Sequence, residues 1–468
     1  MTGQFLVHSL GKRGKSGGST LGWIFLTAFC LCLTTVTISG QAELKNSLQE
    51  AGAQSSPPPQ TEPPLTITLE DAFKRAKTNS PQFQSAITEY QMAREDHRQA
   101  KAALLPSAAS VNQYLYTQGN GTPTGRYVAN NAVHEYLSQV NIHQAVGLSL
   151  IADYRRSQAA EALAQAKSEI ALRGLHATVV QDYYALVVSQ RKYATVQQAA
   201  EESERFLKIT QKLETGGEAA HSDVIKAQLQ FNDRERDLKE AQLAMERARL
   251  VLAVLLFPDF NQNFTVVDDL RLSPPLPPLA EIQQLARQNN PDLRSAMAAL
   301  EVASHEATVA KAGYLPILSL DYFYGIDATH FATRTDGIPN LGYSAIATLN
   351  IPVWNWGTTR SKVRQADLRR KLAQTELTYA QRQLLSELNA SYGEAEAAHA
   401  EIDSLRNSAA LASESLRLTT LRYQAGEVSV LEVVDAQNVL TQSRHAYDDG
   451  EMRFRVALAN LQTLTGSF

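Results

Sequence analysis

Glu432 and Asp435 are the carboxylates whose spacing invites a chemical reading, because two acids three residues apart on a predicted helix share one face. What such a pair offers is a negative field, or else an ordinary solvated helix face. Nothing nearby turns it into a catalytic centre. The ten histidines are scattered, with neither HExxH nor another paired spacing for a metal. GKRGKS, from Gly11 to Ser16, would be a phosphate loop only with a glycine five residues before Gly14, where Ser9 stands, and no strand precedes it. GxSxG is absent. Cys30 and Cys32 are the only cysteines, and both fall in an N-terminal apolar run. The expectation is a protein that is not an enzyme, with no cofactor and no metal site.

The elements that must position these acids begin with an export signal. Lys12, Arg13 and Lys15 precede the apolar run Leu21 to Val36, and Gly40-Gln41-Ala42 offers small residues for cleavage, so residues 1–42 read as a secretory signal peptide. Phe29 stands before Cys30 where a lipoprotein signal wants a small residue, which argues against lipidation. Cleavage removes three positive charges and takes the net charge from −4 to −7, which does not suit a nucleic-acid partner. SSPPPQTEPP, from Ser55 to Pro64, marks residues 43–66 as a Pro-rich linker.

The remainder repeats itself. Asn79-Ser80-Pro81 matches Asn289-Asn290-Pro291 at an offset of 210, and the same offset pairs Ala100-Lys101-Ala102 with Ala310-Lys311-Ala312 and Leu105-Pro106 with Leu315-Pro316. Gly217-Glu218 and Gly426-Glu427 match at 209. The spacing predicts a tandem duplication, residues 67–278 and 279–468. Each copy should open with an amphipathic helix, roughly 69–103 and 279–313, stopped by Pro106 or Pro316. Strand pairs follow, within 107–150 and 316–353. Leu318, Leu320, Tyr322, Tyr324 and Ile326 alternate with mostly polar partners, as do Val140, Ile142, Val146, Leu148 and Leu150. This period of two suits strands with one face in lipid and one in water, or a hairpin on a soluble core. The polar loops, Gly119 to Asn131 and around Thr329 to Asn340, read as external.

Two long rods complete the copies. From Thr358 to Ala425 an aliphatic seam recurs every three or four residues, with one stutter at Leu384–Leu388, and about 68 residues at 1.5 Å each give a rod of about 100 Å. In the first copy Tyr154 to Thr215 has its seam at Leu175, Val179, Tyr183, Leu186, Tyr193, Ala200 and Leu207. The rods turn at Gly216-Gly217 and Gly426 and return as helices over about 218–257 and 427–465. The expected fold class is mixed α+β, mainly α. Four strands cannot close a barrel, and an open edge in lipid is forbidden, so a transmembrane barrel must be shared: eight strands from two chains, twelve from three. Only the larger leaves a wide passage.

Four stretches together carry a family resemblance: TLEDAFKRAKTNSPQ (Thr68 to Gln82), the pair KAALLPSAA and KAGYLPILSL, IPVWNWGTTRSKVRQA (Ile351 to Ala366), and LRYQAGEVSVLEVVDAQNVL (Leu421 to Leu440). In these the chain resembles the TolC-like outer membrane efflux proteins. The resemblance implies a homotrimer, a 12-stranded barrel in the outer membrane of a Gram-negative type of cell, and an α-helical periplasmic tunnel. It also implies an equatorial belt from residues 259–278 and the chain after about 465, with a periplasmic adaptor and an inner-membrane pump as partners. The implied function is the passive exit duct of a tripartite efflux or type I secretion system. A soluble periplasmic coiled-coil scaffold or adaptor is the alternative. By the same resemblance Tyr423, Glu432, Asp435 and the first-copy Asp223 belong to the periplasmic aperture, and Gly217 and Gly426 to the tips that meet the adaptor. Val428 stands where the family carries a basic residue, and Ile151-Ala152-Asp153-Tyr154-Arg155 lacks the proline and glycine of Ile351-Pro352 to Gly357.

Overall fold

A computed structural model of the chain describes residues 65–116, 134–271 and 274–466. The predicted signal peptide, nearly all of the linker, the Gly119 to Asn131 loop and both cysteines lie outside them. In chain order the elements are β1 (Leu65–Ile67), α1 (Leu69–Asn79), α2 (Pro81–Ala102), β2 (Ser107–Tyr116), β3 (His134–Val146), α3 (Leu148–Thr215) and α4 (His221–Leu256). After these come β4 (Phe264–Val266), α5 (Leu279–Asn289), α6 (Pro291–Ala312), β5 (Ile317–Ala328), β6 (Arg334–Thr335), β7 (Ile338–Pro339), β8 (Leu341–Asn350), α7 (Thr358–Gln424) and α8 (Val430–Thr465).

Each expected opening helix is in fact two. Proline has no amide hydrogen and suits the first helical position, so the backbone before it turns extended and a new helix begins. Ser80 (ψ 115°) and Asn290 (ψ 123°) sit at these breaks. Asn290 Oδ1 accepts from the Leu293 amide at 2.9 Å and caps α6. A second difference lies after β3. The alternation through Leu148 and Leu150 reads as strand, yet the ladder ends at Val146, paired with Leu318, and α3 starts at Leu148. Beyond Val146 almost nothing of β5 remains to pair with, and an apolar run then gains more from i to i+4 helical bonds. In the second loop, Asp336 (φ 54°) and Gly337 (φ 81°) turn the two-residue hairpin β6–β7.

β2, β3, β5 and β8 form one sheet in that order, each antiparallel to its neighbours. Register puts Val140, Ile142 and Val146 on one face with Leu318, Leu320, Tyr322, Tyr324, Tyr343 and Leu349. The other face carries Gln139, Asn141, His143, Asp321, Ser344 and Thr348, and there His143 Nδ1 lies 2.7 Å from Asp321 Oδ1. The apolar face is unburied in the single chain: Tyr343 is 76% exposed and Leu349 57%.

The seam of α7 is buried at Ala366, Ala373, Leu384, Leu388, Ala395, Ala398, Ile402, Ala412, Leu416 and Tyr423. Small alanine knobs let α7 and α8 approach closely, and Gly450 of α8 faces Leu405 where a Cβ would collide with its Cδ1. The main apolar cluster sits midway along the helices. There Val179, Tyr183, Tyr184 and Leu186 of α3 meet Leu252 and Leu256 of α4, and Ala72 and Ala76 of α1. No helix among the described residues is long and apolar enough to cross a membrane.

Gly325 and Gly342 face each other across β5 and β8, yet only Gly325 is tightly held. A Cβ there would fall inside contact distance of the Ser138 carbonyl oxygen and Gln139 Cα, whereas one at Gly342 would meet nothing within 4 Å. Gly325→Ala should therefore splay β3 from β5 and lower the yield of protease-resistant, membrane-extracted protein several-fold. Gly342→Ala should leave that yield near wild type.

Candidate functional site

Both rods end in the same way. Gly217 (φ 78°) and Gly426 (φ 73°) are left-handed, a conformation that L side chains resist, and each follows a last helical turn closed by crossed bonds. The Glu218 amide donates to Leu213 O at 2.8 Å and the Gly217 amide to Glu214 O at 2.9 Å; the Glu427 amide donates to Arg422 O at 2.9 Å and the Gly426 amide to Tyr423 O at 3.0 Å. Side chains clasp each turn from outside: His221 Nδ1 to Glu214 at 2.6 Å, and Arg422 Nε to Glu427 at 3.3 Å.

Asp223 and Glu432 occupy the same position, third in the helix after the turn, but do different work. Glu432 reaches back to its own helix start, accepting from the Ser429 amide at 3.2 Å, while the Ser429 side chain caps the Glu432 amide. In the first copy the cap residue is Ala220, which has no side-chain acceptor, and Asp223 pairs instead with Lys226 at 3.2 Å. Asp435 is exposed one turn further along α8 and makes no ion pair among the described residues.

Tyr423 is only 6% exposed. Its hydroxyl donates to Thr210 Oγ1 at 3.3 Å and its ring lies 5.1 Å from that of Phe206, so it joins α7 to α3 rather than lining a surface. Val428, in the position of the family's basic residue, packs against the same cluster with Val430 and Val433. Among the predicted residues, then, the structure brings Tyr423 and the two glycines to the tips, and puts Glu432 and Asp435 on one exposed face just beyond.

Sequence reasoning missed a second cluster, midway along the rods. Arg191 of α3, its side chain 16% exposed, holds three carboxylates at once. Asp268, in the segment after β4, takes Nε and Nη2 at 2.6 and 2.7 Å. Glu451 of α8 takes Nη1 at 2.6 Å, and Asp448 takes it at 3.2 Å. The Tyr447 hydroxyl donates to the other oxygen of Glu451. Burial pushes the Asp448 carboxyl up despite Arg191. Burial also works on Asp268, but there the hydrogen bonds and charge of Arg191 win and hold it below the usual carboxylate range. Arg191 is itself raised, since the bonds to Asp268 and Glu451 outweigh its desolvation. Close by, Tyr183 donates to Val267 O at 2.8 Å, and burial pushes its phenol up to about 12. Asp448 and Glu451 show the same three-residue spacing as Glu432 and Asp435. Spacing alone could not reveal a cation 257 residues away.

Paired helical rods end on one side in reinforced turns and on the other in an edge-open antiparallel sheet with an apolar face. Comparison with known proteins agrees. Residues 282–467 match the family model described as Outer membrane efflux protein. The alkaline protease secretion protein AprF of Pseudomonas aeruginosa is 23% identical over 424 residues, covering 86% of this chain and 85% of AprF. The outer membrane protein TolC of Vibrio cholerae is 22% identical over 403 residues, covering 85% of this chain and 90% of TolC. Among solved structures, the CmeC outer membrane channel of Campylobacter jejuni shares the fold with a TM-score of 0.73 at 17% identity, covering 85% of each chain. The chain is thus similar to outer membrane efflux proteins by sequence over residues 282–467, and it shares the fold of an outer membrane channel over 85% of its length.

Removing one partner from a buried ion pair strands the other. Arg191→Met leaves Glu451, 3% exposed, without its cation and should cost about 3–5 kcal/mol in chemical denaturation. Asp268→Asn should cost less, and the difference from wild type should vanish as pH falls through the lowered pKa of Asp268. A carboxylate whose folded pKa is lowered stabilises only while it is ionised.

Proposed function

We propose that three copies of this chain form the passive outer-membrane exit duct of a tripartite efflux or type I secretion system, opened by a periplasmic adaptor and driven by an inner-membrane pump. One observation carries the reading: a four-stranded sheet with an apolar face and two unpaired edges, β2 and β8, standing on helical hairpins about 100 Å long. In hydrocarbon each unpaired amide or carbonyl costs several kcal/mol, so both edges need partners. β2 and β8 run in opposite directions, so β8 of one copy can continue the antiparallel order onto β2 of the next. Three copies then contribute twelve strands, enough to enclose an aqueous passage where eight would be filled by side chains.

A tandem duplication accounts for the matched element lengths: 11 and 11 residues for α1 and α5, 22 and 22 for α2 and α6, 68 and 67 for α3 and α7, 36 and 36 for α4 and α8. Two like copies in each of three chains give a near-sixfold tube of hairpins. The gate lies at their tips. Asp435, with Glu432 beside it and Asp223 in the first copy, supplies a ring of negative field that favours cations and repels anions while the tips are closed. With Val428 in the apolar tip cluster, the closed state rests on packing around Tyr423 and on the Arg422–Glu427 clasp more than on an arginine lock. A soluble scaffold would leave the apolar sheet face and both edges with nothing to cover them.

Negative-stain images of the detergent-extracted protein should show a threefold particle with a tube about 100 Å long below a short barrel; compact or filamentous particles would remove the duct. Glu432→Ala with Asp435→Ala should lower cation preference in bilayer conductance several-fold. Unchanged selectivity would remove the acidic ring.

A further inference from the structure

Where the sheet meets the helices, every strand end carries an exposed apolar side chain: Leu105 before β2, Leu148 after β3, Leu315 before β5, and Val353, Trp354 and Trp356 after β8. The tryptophans stand out. Trp354 is 75% and Trp356 88% exposed, and their rings meet edge to face at 5.7 Å. Trp356 is also left-handed (φ 53°), an unfavourable backbone for a bulky residue, and the chain after it stays left-handed at Gly357 (φ 79°). The backbone thus carries local strain in a segment that presents a large aromatic to its surroundings.

Just beyond, α7 begins with Arg360, Lys362 and Arg364, all exposed and none in an ion pair among the described residues. Further along the same helix Arg370 pairs with Asp367 at 3.3 Å and Arg369 with Glu306 at 3.7 Å. At 1.5 Å per residue, Arg364 lies about 10 Å from the rim of the sheet. The order along the chain is therefore apolar sheet face, indole pair, unpaired cations. Indole couples an apolar ring to an N–H donor and favours the boundary between acyl chains and headgroups, and cations just outside that boundary meet phosphate.

Resting on the outer-membrane duct reading, we infer that this rim binds anionic phospholipid headgroups of the periplasm-facing leaflet. Trp354 and Trp356 sit at the headgroup boundary, and Arg360 and Arg364, four residues apart on one face of α7, contact the phosphates, with Lys362 on the opposite face. A lipid surface supplies the missing anions.

The chain has three tryptophans, Trp23, Trp354 and Trp356, so in Trp23→Phe all indole emission comes from the rim. Full-length Trp23→Phe protein in vesicles should be quenched by lipids brominated near the glycerol end of the acyl chain and little by aqueous iodide. Brominated phosphatidylglycerol should quench more than brominated phosphatidylcholine at equal mole fraction. Arg360→Gln/Arg364→Gln in that background should lower this preference at least about fivefold, the equivalent of one surface cation, and retain quenching by phosphatidylcholine. The same vesicles are fused to planar bilayers. Conductance overturns the rim assignment and spares the duct if the indoles are open to iodide, if they are shielded from both quenchers as packing against a second copy would leave them, or if the double variant keeps the lipid preference. Protein that neither conducts nor stays with the vesicles overturns the duct reading, and the rim with it.

Discussion

The unpaired backbone of β2 and β8 constrains everything else in this molecule. In water a sheet edge is a modest liability; in hydrocarbon its amides and carbonyls have no solvent to turn to, and a closed ring of strands is the arrangement that satisfies them all. A sheet of four alternating strands leaves edges of opposite direction, so copies can join head to tail around a closed circle. At one end of the sheet each strand connects to a helix within a few residues, so in a closed ring the spacing of the strands would become the spacing of the rods. In the proposed assembly, backbone hydrogen bonds between copies in the sheet would set the diameter of the helical tube.

Along the rods the work is divided. Alanine and glycine at the α7–α8 crossing, with Gly450 against Leu405, bring helices close and keep the wall thin. The two largest apolar clusters among the described residues are the one around Tyr183 and Tyr184 and the tip cluster around Phe206 and Tyr423. Between them Arg191 ties the segment after β4 to both α3 and α8. A buried group of one cation and three carboxylates adds little net stability and much geometry, since it is satisfied in a single arrangement.

The tips show how one structural position serves two purposes. Glu432 and Asp223 are equivalent by position, yet Ser429 turns the first into a helix cap while Ala220 leaves the second to Lys226. Asp435, bound to neither, is the acid whose charge is least committed to its own helix. Tyr423 contributes from within, holding α7 to α3 through Thr210 and Phe206.

By itself the sequence determined the periodic features of the protein. Alternation over Leu318 to Ile326 placed an apolar face on β5, the aliphatic seam over Val363 to Tyr423 placed the buried stripe of α7, and Gly217 and Gly426 marked the turns, because strand, helix and turn each repeat or break within a few residues. Tertiary structure decided what depends on residues far apart in the chain. The helix at Leu148 begins where β5 runs out of partners, Gly325 is required because β3 crosses it, and Arg191 gathers carboxylates from 77 and 260 residues away. Glu432 lies between the two. Its capping partner is only three residues distant, but a carboxylate on a helix face and a carboxylate folded back on its own helix start have the same spacing, and only the side-chain geometry separates them.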